Sequence, residues 1–192
     1  MLQKTYSTMM SYAATPKATW WLSLIAFAES SIFPLPPDPL LIAIILNRRE
    51  SAWALATLCT LSSVVGGLLG YAIGYALYET VGQAIAQTYG MEQKLVGLQT
   101  QFQQWGFWIV TLKGFTPIPY KIVTIASGLA GLNLGTFICA SLLARGMRFF
   151  LVAGLLWRWG PDIRDFIEQW LGWLTGLTLL GLIAGFIILR YI

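Results

Sequence analysis

The sequence predicts an all-α integral membrane protein, an inverted repeat of two proline-broken re-entrant hairpins with about three full transmembrane helices and an amphipathic connector helix. Three observations carry that prediction. Of 192 residues, 57% are hydrophobic and only 10% charged, at a mean hydropathy of +0.68, against about 25% charged in an average soluble domain. Uncharged runs such as 52–78 exceed the roughly 20 apolar residues that cross a bilayer. Two further apolar stretches are each interrupted by a proline cluster.

Composition removes several function classes. Histidine is absent, so Ser-His-Asp and Cys-His catalysis, His-ligated metals and imidazole pH sensing are excluded together. Proton chemistry must use carboxylates, and neither a metal site nor a cofactor is predicted. Cys59 and Cys139 lie inside apolar runs and read as buried space-fillers. A net charge of +4 is too small and too dispersed for nucleic acid, and it fits the Lys/Arg excess of cytoplasmic loops. No removable signal peptide is expected in the first 17 residues, which lack an apolar core beside a small-residue cleavage site.

Residues 1–17 alternate polar groups with Leu2, Tyr6, Met9, Met10 and Tyr12, the pattern of an interfacial segment. Residues 18–192 form a single membrane domain. Its first stretch, 18–47, carries Glu29 and then Pro34, Pro36, Pro37, Asp38 and Pro39, and four prolines in six residues cannot continue a helix. Sixteen residues precede the break and seven apolar ones, Leu40 to Leu46, follow it. At about 1.5 Å per residue the arms reach about 24 and 10 Å, short of a hydrocarbon core of about 30 Å. A hairpin that enters, breaks and returns follows, with Lys4 and Lys17 on the same cytoplasmic face as Arg48 and Arg49.

Residues 52–78 form a span in which Ser62, Gly66, Gly70 and Gly74 recur every fourth position, a spacing for close helix packing. The Gln-rich stretch 79–106 reads as a polar connector helix at the opposite face. A second broken stretch, 107–133, holds Lys113, Pro117, Pro119 and Lys121, and spans follow at 134–157 and 170–190 around a charged loop at 158–168. Trp20, Trp21, Trp157, Trp159, Trp170 and Trp173 are placed as interfacial belt residues.

The broken stretches superpose at an offset of 83 residues, which pairs Pro34 with Pro117, Pro36 with Pro119 and Asp38 with Lys121. The first copy is acidic and the second basic. Paired proline-interrupted segments point to an inverted-topology transporter whose site lies where the broken ends meet. Glu29, Asp38, Lys113 and Lys121, left unpaired at membrane depth, would together cost on the order of 10 kcal/mol. Facing tips across a shared polar cavity would cancel these charges and shelter the irregular backbone. Plainer roles compete at each position. Asp38 before Pro39 has the signature of an N-cap, and Lys113 could snorkel to an interface. On the 134–157 span, Arg148 reads as an interfacial anchor and the deeper Arg145 as a candidate for substrate binding.

Glu29 with Pro34-x-Pro36-Pro37-Asp38, then Gly67-x-x-Gly70-Tyr71-x-x-Gly74, then Phe115-x-Pro117 with flanking bases and Ala126-Ser127-Gly128, together resemble the DedA family, also called the SNARE-associated or VTT-domain family. The likeness covers about residues 23–157. It implies two oppositely oriented re-entrant hairpins and an activity that moves lipids between leaflets, including the polyprenyl-phosphate carrier of bacterial envelope synthesis, with proton coupling. It assigns Glu29 and Asp38 to the acidic pair, and Lys113 and Lys121 to positions where most members carry more closely spaced arginines. The chain thus resembles a divergent branch, with a point charge where others offer a bidentate fork.

The expected function is translocation of anionic phospholipid or polyprenyl phosphate between leaflets of the bacterial inner membrane, by a multi-pass protein with a cytoplasmic N-terminus. Lys113, Lys121 and Arg145 would hold the head group, while Glu29 and Asp38 exchange protons and compete for the same bases. Partners are anionic lipids and protons, without nucleic acid, and an assembly of identical copies is compatible with the sequence. Two alternatives stand. One is a proton-coupled carrier of a small soluble solute, and the other a non-transporting membrane assembly or scaffold protein whose charges only lock the hairpins. An enzyme is not expected, because lipid-phosphate chemistry calls for a His or Cys nucleophile or a metal-binding carboxylate cluster, and Glu29 and Asp38 stand apart beside prolines.

Overall fold

Prolines set where the helices begin. Our computed structural model describes Ala13 and residues 15–33, 36–82, 88, 90, 92–115 and 119–160. Pro34, Pro117, nearly all of the predicted interfacial segment 1–17, most of the 158–168 loop and the span expected at 170–190 lie outside the described residues. Helix α1 (Pro16–Ser31) opens with proline in its first turn, where a missing N–H costs nothing. It stops where Ile32 and Phe33 both donate to the Ala28 carbonyl ahead of the proline cluster. Pro37 is buried and precedes α2 (Asp38–Asn47), which has Pro39 in its first turn. A short 3₁₀ turn, Arg49–Ser51, leads into the long α3 (Ala52–Leu77), and a π-helical turn, Tyr78–Gly82, ends it.

The same order then recurs. Helix α4 (Glu92–Phe115) is followed by a break, by α5 (Tyr120–Leu129) directly after Pro119, and by the long α6 (Leu134–Gly160). A Schellman turn closes α5: Gly131 has φ +66°, its N–H bonds the Gly128 carbonyl, and the Leu132 N–H reaches back to Ser127. Asn133 then caps α6 by accepting from the Thr136 N–H at 3.2 Å. Each ten-residue helix, α2 and α5, is followed by a helix of 26 or 27 residues. Those two, extended to Arg49–Thr80 and Leu134–Gly160, are long and apolar enough to cross a membrane.

Both broken stretches double back. Arg48, just beyond α2, reaches the Thr15 carbonyl and the Thr19 hydroxyl at the start of α1. In the second, a Cβ at Gly114 would press on the Tyr120 ring, and one at Gly106 would strike Leu132. The long helices run antiparallel: Trp53 stacks near Trp157, Ser63 bonds Arg145, and Tyr71 stacks near Phe137. One apolar cluster joins α1, α2 and the first half of α3 to the last half of α6 (Leu22, Leu41, Ile44, Cys59, Phe149). A second joins α4 and α5 to the first half of α6 (Phe102, Val110, Val123, Phe137). Arg145 sits near the middle of α6, between the two.

The small residues of α3 serve backbone contact, as their spacing predicts. Ser62 and Ser23 share a hydroxyl hydrogen bond of 2.6 Å. A Cβ at Gly66 would strike the Phe27 carbonyl oxygen, at Gly70 the Thr124 hydroxyl, and at Gly74 the Ile125 carbonyl oxygen. Helix α4 runs without interruption from the Gln-rich stretch into the apolar one, with no proline before Pro117 to stop it. One expectation needs correction. Cys139 is exposed rather than buried, since it lies on the outer face of α6, while Cys59 is buried as expected.

Candidate functional site

The first break is held from both sides by α6. Glu29, in the last turns of α1, accepts a hydrogen bond and ion pair from Arg145 Nη2 at 2.6 Å. Asp38, the first residue of α2, forms an ion pair with Arg148. Arg145 and Arg148 are three apart, so they stand one above the other on one face of α6. That spacing matches two acids on either side of a break. Around Arg145 the polar groups close into a network. Its Nε donates to Ser63 Oγ at 2.6 Å, Ser63 shares a hydrogen bond with Ser30 at 2.6 Å, and Ser30 also donates to Glu29 at 3.1 Å. The guanidinium lies over the faces of the Tyr120 and Phe149 rings, 4.9 and 4.8 Å from their centroids. Tyr120 itself is anchored by donating to Ser141 at 2.6 Å.

The structure therefore brings together three of the predicted site residues, Glu29, Asp38 and Arg145. The lysines do something else. Lys121 Nζ donates to the Ile32 carbonyl at 3.2 Å, and Thr124 Oγ1 donates to the Ser30 carbonyl at 3.3 Å. The second break thus caps the carbonyl end of α1, which favours cations and donors. Lys113 is exposed in the last turn of α4, where a cation also complements the helix dipole. The two stretches thus touch beside their breaks, and the ion pairs of Glu29 and Asp38 among the described residues run to arginines of α6. An arginine fork is less strongly hydrated than an ammonium and suits a buried carboxylate better.

Two plainer readings also change. Asp38 does not stand outside α2 as its N-cap, since Pro37 precedes the first turn and the carboxylate turns to Arg148. Arg148 is an ion-pair partner rather than an interfacial anchor. Of the break prolines described, Pro37 is buried while Pro36, Pro39 and Pro119 are exposed. Sequence reasoning missed Ser30, Ser63, Tyr120, Ser141 and Phe149. Only the three-residue spacing of the two arginines signalled that α6 belongs to the site. Among the described residues, no three Cys, Asp or Glu side chains gather into a metal-binding group.

A VTT-domain family model matches residues 35–158. The chain belongs to the VTT-domain (DedA) family. The match takes in Asp38, Lys121, Arg145 and Arg148 and begins after Glu29. This VTT-domain protein is 35% identical over 188 residues to an uncharacterized protein of Haemophilus influenzae, with 95% of each chain covered. It is 34% identical over 172 residues to an uncharacterized HI0703 homolog of Histophilus somni, covering 88% of this chain and 89% of that one. No solved structure matches.

Proposed function

We propose that this VTT-domain protein moves lipids with an anionic phosphate head group between the leaflets of the bacterial inner membrane, using Glu29 and Asp38 as proton-exchanging competitors for the phosphate. The observation that carries this reading is the pair of acid–arginine contacts flanking the first break at mid-span. A carboxylate and a phosphate oxyanion present the same chemistry to a guanidinium. Protonating the carboxylate removes its claim on the arginine, and the phosphate can take its place; deprotonation reverses the exchange. Lys121 and Lys113 extend the positive surface that a head group would meet.

Alternating access is supported by the repeated order of helix, break, short helix and long helix, together with the antiparallel α3 and α6. In our reading the two doubled-back stretches are re-entrant hairpins from opposite faces, and the break is where broken ends meet substrate. Lys17, Arg48, Arg49 and Arg158 gather toward one end, where Arg49 bonds the carbonyls of Trp157 and Arg158. We assign that end, and with it the N-terminus, to the cytoplasm. The test is leaflet exchange of labelled lipid phosphates by purified protein in liposomes, with and without a pH gradient. Exchange that accelerates with the gradient is expected. Exchange no faster than in protein-free vesicles under both conditions overturns the reading. The full burial of Arg145 favours a second reading, a non-transporting assembly protein in which the pairs lock the hairpin to α6, and that outcome would support it.

A further inference from the structure

The two ion pairs are built into the fold to different depths, and from that difference we infer that they divide the work: Arg148 with Asp38 is the pair that opens to a phosphate oxyanion, while Arg145 is a fixed post that holds Glu29 and the end of α1. This inference rests on the reading above and assigns its ligand-facing half. The Arg145 side chain is 0% exposed and its Glu29 partner 13%, whereas Arg148 and Asp38 are 30% and 21% exposed.

Leaving its place would cost Arg145 two hydrogen bonds, to Ser63 and Glu29, and two ring contacts, to Tyr120 and Phe149. Ser63 is tied in turn to Ser30, and Tyr120 to Ser141, so those partners cannot follow it. Arg148 has its hydrogen bond to Asp38 and no ring over its guanidinium among the described residues. Asp38 is also the half-satisfied member: its second oxygen, Oδ1, is buried and makes no hydrogen bond among the described residues. Arg145 Nη1 is buried and makes no hydrogen bond among the described residues.

The shared chemistry is a phosphate oxyanion, from a lipid head group or from free phosphate. Binding is measured with the full chain in phosphatidylcholine nanodiscs, using phosphatidic acid in one arm and inorganic phosphate in the other. Arg148→Gln is expected to weaken phosphatidic acid binding tenfold or more, with its thermal midpoint lowered less than that of Arg145→Gln. Asp38→Asn is expected to strengthen it several-fold. Folded Arg145→Gln should bind within about threefold of the parent, but with a clearly lowered midpoint. Arg148→Gln that binds like the parent, or Arg145→Gln that alone loses binding, overturns the division. Phosphate inhibition matching phosphatidic acid would make the source a soluble anion.

A ligand-free measurement separates this inference from the reading beneath it. In a background lacking Cys59 and Cys139, Arg148→Cys should react with a small membrane-permeant thiol reagent at least tenfold faster than Arg145→Cys. Equal rates overturn the division even if lipid binding holds. Unequal rates with no binding of either phosphate probe by the parent protein would keep the difference in access while removing lipid phosphate as its reason, and the division as stated would fall with it.

Discussion

The two broken stretches share a pattern, Pro-x-Pro followed by a charge, yet they are held by different forces. The first is fixed by charge, with Glu29 and Asp38 each gripped by an arginine of α6. The second is fixed by backbone and hydroxyls: a Schellman turn at Gly131, the Tyr120–Ser141 hydrogen bond and close glycine contacts. Register-equivalent residues diverge accordingly. Asp38 finds a side chain, and Lys121 finds the carbonyl end of a helix. What a break binds is decided by the helix packed beside it as much as by its own residues, and only the first break faces two stacked arginines.

The sharpest way to break that comparison is to remove charge from the first side. Arg145→Gln leaves Glu29 buried without its partner, and a loss of about 3–5 kcal/mol is expected. The measurement is folded yield and thermal midpoint in detergent, and Glu29→Gln with Arg145→Met should recover much of the loss. Next come the glycine contacts shared by both hairpins. Gly66→Ala drives a methyl group into the Phe27 carbonyl and Gly74→Ala into that of Ile125, so each should cost about 1–3 kcal/mol. A midpoint shift for one and not the other would show that α3 grips the two hairpins unequally.

Smaller effects sharpen the second side. Tyr120→Phe keeps the ring beside Arg145 and removes only the bond to Ser141, with an expected cost of about 0.5–1.5 kcal/mol. Lys121→Met removes a half-buried cation from a helix end and should cost about 0.3–1 kcal/mol. If Lys121→Met instead matched Arg145→Gln in thermal midpoint, the second break would be held by charge after all, and the contrast would collapse.

Local features were legible in the sequence, and partnerships were not. Proline clusters located both breaks, because a missing N–H acts on the residue's own neighbours. The offset that pairs Asp38 with Lys121 also carries α2 and α3 onto α5 and α6 within about a residue. The Ser62, Gly66, Gly70, Gly74 stripe was readable because helix period puts it on one face. The change from glutamine-rich to apolar sequence along α4 alters what the helix touches without stopping it. Pairing was not legible. Four cations and two acids permit many pairings, and which one forms depends on α6 lying antiparallel against α3, a fact of tertiary packing. The rings around Arg145 were invisible for the same reason, since Tyr120 and Phe149 come from different helices.

The length of the paired long helices has a mechanical consequence. At about 1.5 Å per residue, α3 and α6 extend about 39 and 40 Å, while a hydrocarbon core measures about 30 Å. Such mismatch is relieved by tilting, at fractions of a kcal/mol per ångström. Neither helix can lean alone, because contacts at Trp53–Trp157, Ser63–Arg145 and Tyr71–Phe137 rivet them at both ends and the middle. A bilayer that thins or thickens must therefore rotate them together, with the Glu29 and Asp38 partners on α6 carried along. Membrane thickness becomes a load applied directly to the site.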